Sequence, residues 1–417
     1  MLFLILTLIL LPTLLDIVSA GRVQVQRLAA SPVSLPMARR VNLTSVHNLV
    51  RHDRARAQRF RSMSSARADP SLLNAVNVPV DNQAITYVAS VAIGDPPTTY
   101  SLVIDTGSSN TWAGAQKLYQ FTKTTMLTLD EVIVVYGSGT FIGLAVLDKI
   151  TLAPGLTIAN QSLGAAQVAN GFDGVDGILG IGPTDLTIGT LFPDKKLPVK
   201  TVVDNLYENG AIASRQVAIY FQPVVNNIML NGEMTFGGIN PLKNASEITW
   251  TQVTATSPAS AYWGINQALR YGESTTILPN TAGIVDTGTT LVLLATDAFN
   301  TYKSATGAIL DSTTGLLSIT PDQYAKLQSL FFTVENTIFE MTPDAQLWPR
   351  VLNTLIGGSA SAIYLIVGDL GIPSGSGLDF INGYGFLERF YSVFDTDNKR
   401  VGLATTSYTY SVVNYPV

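Results

Sequence analysis

Asp-Thr-Gly occurs twice in the chain, as Asp105-Thr106-Gly107 in YSLVIDTGSSNTW and as Asp286-Thr287-Gly288 in TAGIVDTGTTLVL. Each copy follows a short apolar run that reads as a buried strand, and each precedes a pair of hydroxyl residues, Ser108-Ser109 or Thr289-Thr290. Two equivalent carboxylates at strand ends are the ingredients of a shared-proton acid–base pair. If they face each other, like-charge repulsion opposes ionisation of both, so one keeps a proton while the other acts as base. Such a pair can activate water against a peptide carbonyl without metal or cofactor. Glycoside hydrolysis also uses two carboxylates, but it does not call for one triplet twice. Aspartyl-phosphate chemistry would want a lysine between Asp and Thr, and neither copy has one.

Composition removes most other hydrolytic chemistry. The chain has no Cys, and its only histidines are His47 and His52. Both lie in a basic stretch near the N-terminus that is expected to be cut away, so a Cys-His nucleophile, a Ser-His-Asp triad and a His-bearing zinc site are all unsupported. A Ser-Lys arrangement has no motif behind it.

The elements that must position the triplets begin after two leading segments. Met1 to Ala20 has the pattern of a secretory signal: Leu2 to Leu15 is apolar with Thr and Pro, and Val18-Ser19-Ala20 offers a small-residue cleavage site, although no Lys or Arg precedes the apolar run. The run is too short, and Asp16 comes too early, for a membrane span. No apolar tail for a lipid anchor closes the chain. Export without disulfides is consistent with a chain long enough to bury a large core. Asn160-Gln-Ser and Asn244-Ala-Ser are candidate glycan acceptors.

Between Gly21 and Leu73 there are ten Arg, no Lys and only Asp53 and Asp69 as acids, a charge of +8; residues 74–417 carry −12. Such a basic run is either a solvated arm or nucleic-acid tail, or an intramolecular inhibitor whose cations dock on an acidic cleft. The second reading predicts a zymogen held closed at neutral pH and released when acid protonates the carboxylates. Cleavage is expected around Ser71–Ala75, giving a signal over 1–20 and a basic prosegment over 21–74.

Beyond residue 74 the pattern is all-β. Ile85–Val91, Leu102–Ile104, Val132–Tyr136 and Ile284-Val285 read as strands between Gly, Asn, Asp and Pro turns. Helices are few: one begins at Thr320-Pro321-Asp322-Gln323 with Thr as cap, one covers Asp297–Ser304, and one covers Val202–Glu208 before Asn209-Gly210. One triplet in each half indicates a duplicated fold, with lobes over 75–248 and 249–417. Ile178-Leu179-Gly180 and the weaker Ile381-Asn382-Gly383 could each lie beneath a triplet and support it.

With these residues in view, the chain resembles the pepsin-like aspartic peptidases, most nearly their secreted basidiomycete members. The similarity spans residues 75–410 and includes GFDGVDGILG (171–180), SPASAYWGINQ (257–267), TAGIVDTGTT (281–290) and FLERFYSVFD (386–395). The resemblance implies a bilobal acid-protease fold: two pseudo-twofold-related β-barrel lobes, few short helices, and a central cleft closed by a hairpin flap. Residues 80–92 and the C-terminal strands would join the lobes. It implies that Asp105 and Asp286 are the catalytic dyad, with Ser108 and Thr289 hydrogen-bonding their outer oxygens. Gly107 and Gly288 would permit close backbone approach. Tyr136, Gly137, Ser138 and Gly139 would form the flap, the glycines giving a tight, mobile turn. Trp112 would hold the Tyr136 hydroxyl, and Tyr262 would line the cleft. Expected partners are extended polypeptides, the chain's own prosegment and pepstatin-like transition-state analogues. A monomer is expected, without metal, cofactor, nucleic acid or membrane. A binding protein on the same fold would have damaged a triplet, the flap tyrosine or a supporting hydroxyl, and here all are intact. Two positions depart from the family pattern: Asn382 stands where an apolar residue is usual, and Tyr384 where Asp is usual. Both weaken the expected support beneath the second triplet.

Overall fold

In the computed structural model, the structure describes residues 31–41, 49–68, 85–137, 139–223 and 230–415. The signal segment, the Ser71–Ala75 cleavage region, His47 and Ser138 lie outside these residues. Strands dominate, arranged as barrel-like sheets in two lobes.

The two triplet strands are built alike. Thr98–Asp105 pairs in parallel with Gly177–Gly180, placing Ile104 opposite Leu179 and Asp105 opposite Gly180. Thr275–Val285 pairs in parallel with Phe380–Asn382, placing Ile284 opposite Ile381 and Val285 opposite Asn382. In each half a second short strand returns antiparallel on the other side of that support: Trp112–Ala113 in the first, Val292–Leu294 in the second. A parallel partner then follows, Leu156–Asn170 and Val367–Asp369 respectively. Strands buried on both faces are continuously apolar, which is why SLVID and TAGIVD carry no alternation.

One sheet of 14 strands carries the first triplet and a second, of seven, carries the other. Phe390–Asp395 and Arg400–Thr405 do not stay with the second sheet. They pair beside Gln216–Phe221 in the first, with Thr249–Gln252 at its edge. The chain therefore crosses back, and its C-terminal strands join the halves. Three anticipated helices form: Val202–Glu208 and Pro321–Tyr324, each with a capping box from Thr201 or Thr320, and Thr296–Thr306, ended by Gly307 at positive φ.

Within the basic segment, residues 31–41 and 49–68 pack against this body. Val33–Val41 lies between Leu230–Phe236 and Ile85–Ile93, antiparallel to both. Leu49–Ala68 is a helix of 20 residues. Its buried residues Leu49, Asp53, Arg56 and Phe60 recur every three to four positions, so one face points inward.

Candidate active site

The triplets meet through their middle residues. Thr106 N–H donates to Thr287 Oγ1 (3.0 Å), Thr287 N–H donates to Thr106 Oγ1 (2.9 Å), and each hydroxyl passes its own proton across: Thr106 Oγ1 to Val285 O (3.3 Å), Thr287 Oγ1 to Ile104 O (2.9 Å). This closed ring locks the strand ends together. It brings Asp105 and Asp286, both almost fully buried, to a common point. The sequence reading had not singled out these threonines, although their position inside both triplets was available.

Each carboxylate is held twice by its own turn. Gly107 N–H donates to Asp105 Oδ1 (2.9 Å) and the Ser108 hydroxyl to Oδ2 (2.5 Å). Gly288 N–H donates to Asp286 Oδ1 (3.1 Å) and the Thr289 hydroxyl to Oδ2 (2.5 Å). Such donors stabilise the charged form and fix the carboxylate plane.

The space between the carboxylates is filled by Arg56, from the inward face of the basic helix. Its Nε donates to Asp286 Oδ2 (2.7 Å), and Nη2 donates to Asp286 Oδ1 (2.9 Å) and to Asp105 Oδ1. Gly107 and Gly288 leave the room: a Cβ on Gly107 would lie 2.6 Å from Arg56 Nη2, and one on Gly288 2.5 Å from Arg56 Cζ. Burial opposes charge on Arg56, but the two carboxylates outweigh it and raise its pKa. Burial likewise opposes charge on Asp286; the Arg56 charge and hydrogen bond, with Thr289 and Gly288, hold its pKa below the ordinary 3.8.

Around Arg56 the helix makes a wider set of contacts. Asp53 accepts from Leu291 N–H (2.8 Å) and Thr290 N–H (3.1 Å), and His52 Nδ1 lies 3.2 Å from its carboxylate. Arg59 Nε donates to Val135 O (2.9 Å). Tyr262 donates its hydroxyl to Phe60 O (3.0 Å), and the two rings meet edge-on at 4.7 Å. Arg54 pairs with Asp369. No role for any of these helix residues was read from the sequence: arginine density marked the segment, not the arginine.

The hairpin expected to serve as flap pairs Met126–Val135 with Thr140–Ala153, and Tyr136 N–H donates to Gly139 O (2.6 Å). Trp112 Nε1 donates to the Tyr136 hydroxyl (2.9 Å), and the indole stacks on Phe141 at 4.4 Å. Gly137 and Gly139 were expected to serve the turn itself, yet neither has positive φ. They also leave room for close approach: a Cβ on Gly137 would meet the Arg56 backbone, and one on Gly139 would lie 2.6 Å from the Phe172 ring.

A second buried arginine enters from the leading strand. Arg39 lies opposite Tyr87, whose hydroxyl donates to Glu388 Oε1 (3.1 Å). Burial pushes the Glu388 carboxyl up to about 7, with Arg39 and Arg389 pulling the other way. Tyr384 packs edge-on against Tyr87 at 6.0 Å, and the charges of Glu388, Arg39 and Asp53 act on it. The departure at Tyr384 thus faces the polar cluster that receives the basic segment. Of the two sequons, Asn160 is exposed, while Asn244 is half-buried and donates to Ser246 O (2.9 Å). No group of metal-ligating residues occurs among the described residues.

Residues 86–406 match the family model of the eukaryotic aspartyl proteases. Polyporopepsin of Irpex lacteus is 59% identical over 338 residues, covering 81% of this chain and 99% of that protein. Cathepsin E of Mus musculus is 28% identical, covering 80% and 84%. The crystal structure of an aspartic proteinase from Irpex lacteus superposes with a TM-score of 0.79 at 52% identity, covering 92% of this chain and all of that one. The chain belongs to the eukaryotic aspartyl proteases, and within them it is a pepsin-like aspartic-type endopeptidase.

Proposed function

We propose that the protein is a secreted zymogen, activated by acid, which hydrolyses extended polypeptides through an Asp105–Asp286 dyad. The observation that carries this reading is the Arg56 guanidinium, which bonds both carboxylates at once. It occupies the place where a lytic water would have to stand. Residues 21–74 act as inhibitory prosegment, behind a signal over 1–20, and lobes 75–248 and 249–417 form the mature enzyme. The mature enzyme works as a monomer with no metal or cofactor, is blocked by pepstatin-like analogues, and is a candidate for glycans at Asn160 and Asn244.

With the helix gone, the dyad binds one water. The ionised carboxylate takes a proton as the water oxygen attacks the peptide carbonyl, and the protonated partner donates to the carbonyl oxygen. The resulting diol collapses as a proton passes to the leaving amine, so no covalent intermediate forms. Ser108 and Thr289 keep the outer oxygens oriented. Tyr136, held by Trp112, and the flap around Gly137–Gly139 close over the substrate, whose side chains pass Tyr262. The titration belongs to the pair, so activity follows a bell in acid and vanishes near neutrality.

Cleavage of a denatured protein across acid to neutral pH tests this, with Asp105→Asn alongside. The wild type is expected to cut only in acid, and the variant to lose activity by at least about 1,000-fold, the scale for groups that act as a unit. Comparable rates for the two proteins would overturn the dyad.

A further inference from the structure

Beneath each triplet the two halves use different chemistry. In the first, Leu179 lies opposite Ile104, and Val91 lies opposite Tyr100, five residues before Asp105; both are apolar and fully buried. In the second, Asn382 lies opposite Val285, and Gln267 opposite Thr281, five residues before Asp286; both are amides and fully buried. They bond reciprocally. Asn382 Nδ2 donates to Gln267 Oε1 (2.8 Å), and Gln267 Nε2 donates to Asn382 Oδ1 (3.3 Å).

A buried amide is costly unless paired, and this ring satisfies a donor and an acceptor of each. It also does what apolar contact cannot: two directional bonds fix a position along the strand, where facing methyl groups can slide. That position matters because of what the Asn382 backbone touches. Its carbonyl accepts from Asp286 N–H (3.1 Å). The next three N–H groups, of Gly383, Tyr384 and Gly385, donate to Leu291 O (3.2 Å), Thr289 O (2.8 Å) and Thr290 O (3.1 Å). One short segment therefore holds both ends of the Asp286–Leu291 turn, including Thr289, whose hydroxyl bonds Asp286. A Cβ on Gly383 would lie 2.6 Å from Thr289 O, so this contact has no slack.

We infer that Gln267 and Asn382 are a positioning pair for catalysis, setting where the Asp286 carboxylate stands relative to Asp105. The first half gives the same task to packing. The inference rests on the reading of Asp286 as half of the dyad.

The test uses the activated enzyme with Asn382→Leu, Gln267→Val, both together, and Asp286→Asn. The readouts are kcat and KM on one peptide, the limbs of the pH profile, and the thermal unfolding temperature. Each single change is expected to lower kcat by about 10- to 100-fold, the scale of a displacement of up to an ångström. KM should stay within about twofold, and the pH limbs should move, because interactions made in the transition state are lost and uniform binding is not. The double change leaves no unpaired amide, so it should recover unfolding temperature but not kcat. If a single variant fails to fold, the double variant decides alone. Wild-type kcat in the double variant, or kcat that simply tracks unfolding temperature, overturns the positioning role. An active Asp286→Asn instead removes the dyad reading beneath it, whereas an inactive one beside a fully active double variant removes only the pair.

Discussion

Arg56 and Arg39 both run from the basic segment into the body, but the carboxylates they meet have moved in opposite directions. Asp286, against Arg56, lies below its ordinary value of 3.8, whereas Glu388, under the charge of Arg39, lies at about 7. Both are buried, so burial alone cannot separate them. The difference is contact: Arg56 bonds its partners directly, aided by Thr289 and Gly288, whereas Glu388 has a hydrogen bond from Tyr87 and only longer-range help from Arg39 and Arg389. A depressed carboxylate stabilises the closed form above its unfolded pKa and gives this up as pH falls through its folded one. A raised carboxylate behaves in reverse: its favourable contribution is complete below about 4.5, its ordinary value, and is lost as pH rises through about 7. As acid is added to the proposed zymogen, Glu388 therefore loses its charge, and its hold on Arg39, well before Asp286 lets go of Arg56.

The largest break in this comparison is Arg56→Leu. It leaves two buried carboxylates facing each other without a counter-ion, a loss of about 3–5 kcal/mol when one partner of a buried pair goes. The variant zymogen should unfold at markedly lower temperature than wild type at pH 7, with the gap narrowing as pH falls below the ordinary 3.8 of Asp286. Equal melting at pH 7 would remove the clamp. Next comes Glu388→Gln, which abolishes the titration near neutrality. Wild-type stability should fall as pH rises from 5 to 8 and the variant's should not, with a difference of up to about 3 kcal/mol for a displacement this large. Parallel curves in a denaturant titration at the two pH values would remove Glu388 from the account. The smallest effect belongs to Arg54→Ala. Arg54 is 39% exposed where it pairs with Asp369, so the change should cost at most about 1 kcal/mol and vanish in high salt. A larger, salt-independent loss would mean that the segment is held by its rim as much as by its core.

What could be read in the sequence was what chemistry repeats or stays local. The two triplets announce themselves because a strand, an acid and a hydroxyl pair recur in the same order. The helices at Val202 and Pro321 carry their caps within four residues. The helix Leu49–Ala68 was read only as a basic run, because its inward face mixes Asp53 and Arg56 with Leu49 and Phe60. That face acquires meaning only against the triplets it covers. Asn382 looked like a defect for a similar reason: its partner, Gln267, is 115 residues away, and one amide in an apolar strand cannot be interpreted without the other. Tyr384 and Glu388 likewise become a site only once the leading strand lies beside Tyr87.

The guanidinium that bonds both dyad carboxylates has a consequence for stoichiometry. Bonded to both, it holds Asp286 ionised, whereas the working pair of the proposed mechanism carries one proton. Opening the proposed zymogen into that working state must then take up a proton at the pair. A process that consumes one proton becomes about tenfold more favourable for each unit by which the pH falls. The proposed zymogen would then respond to acidification in a graded way, the acid itself setting how much of it is open.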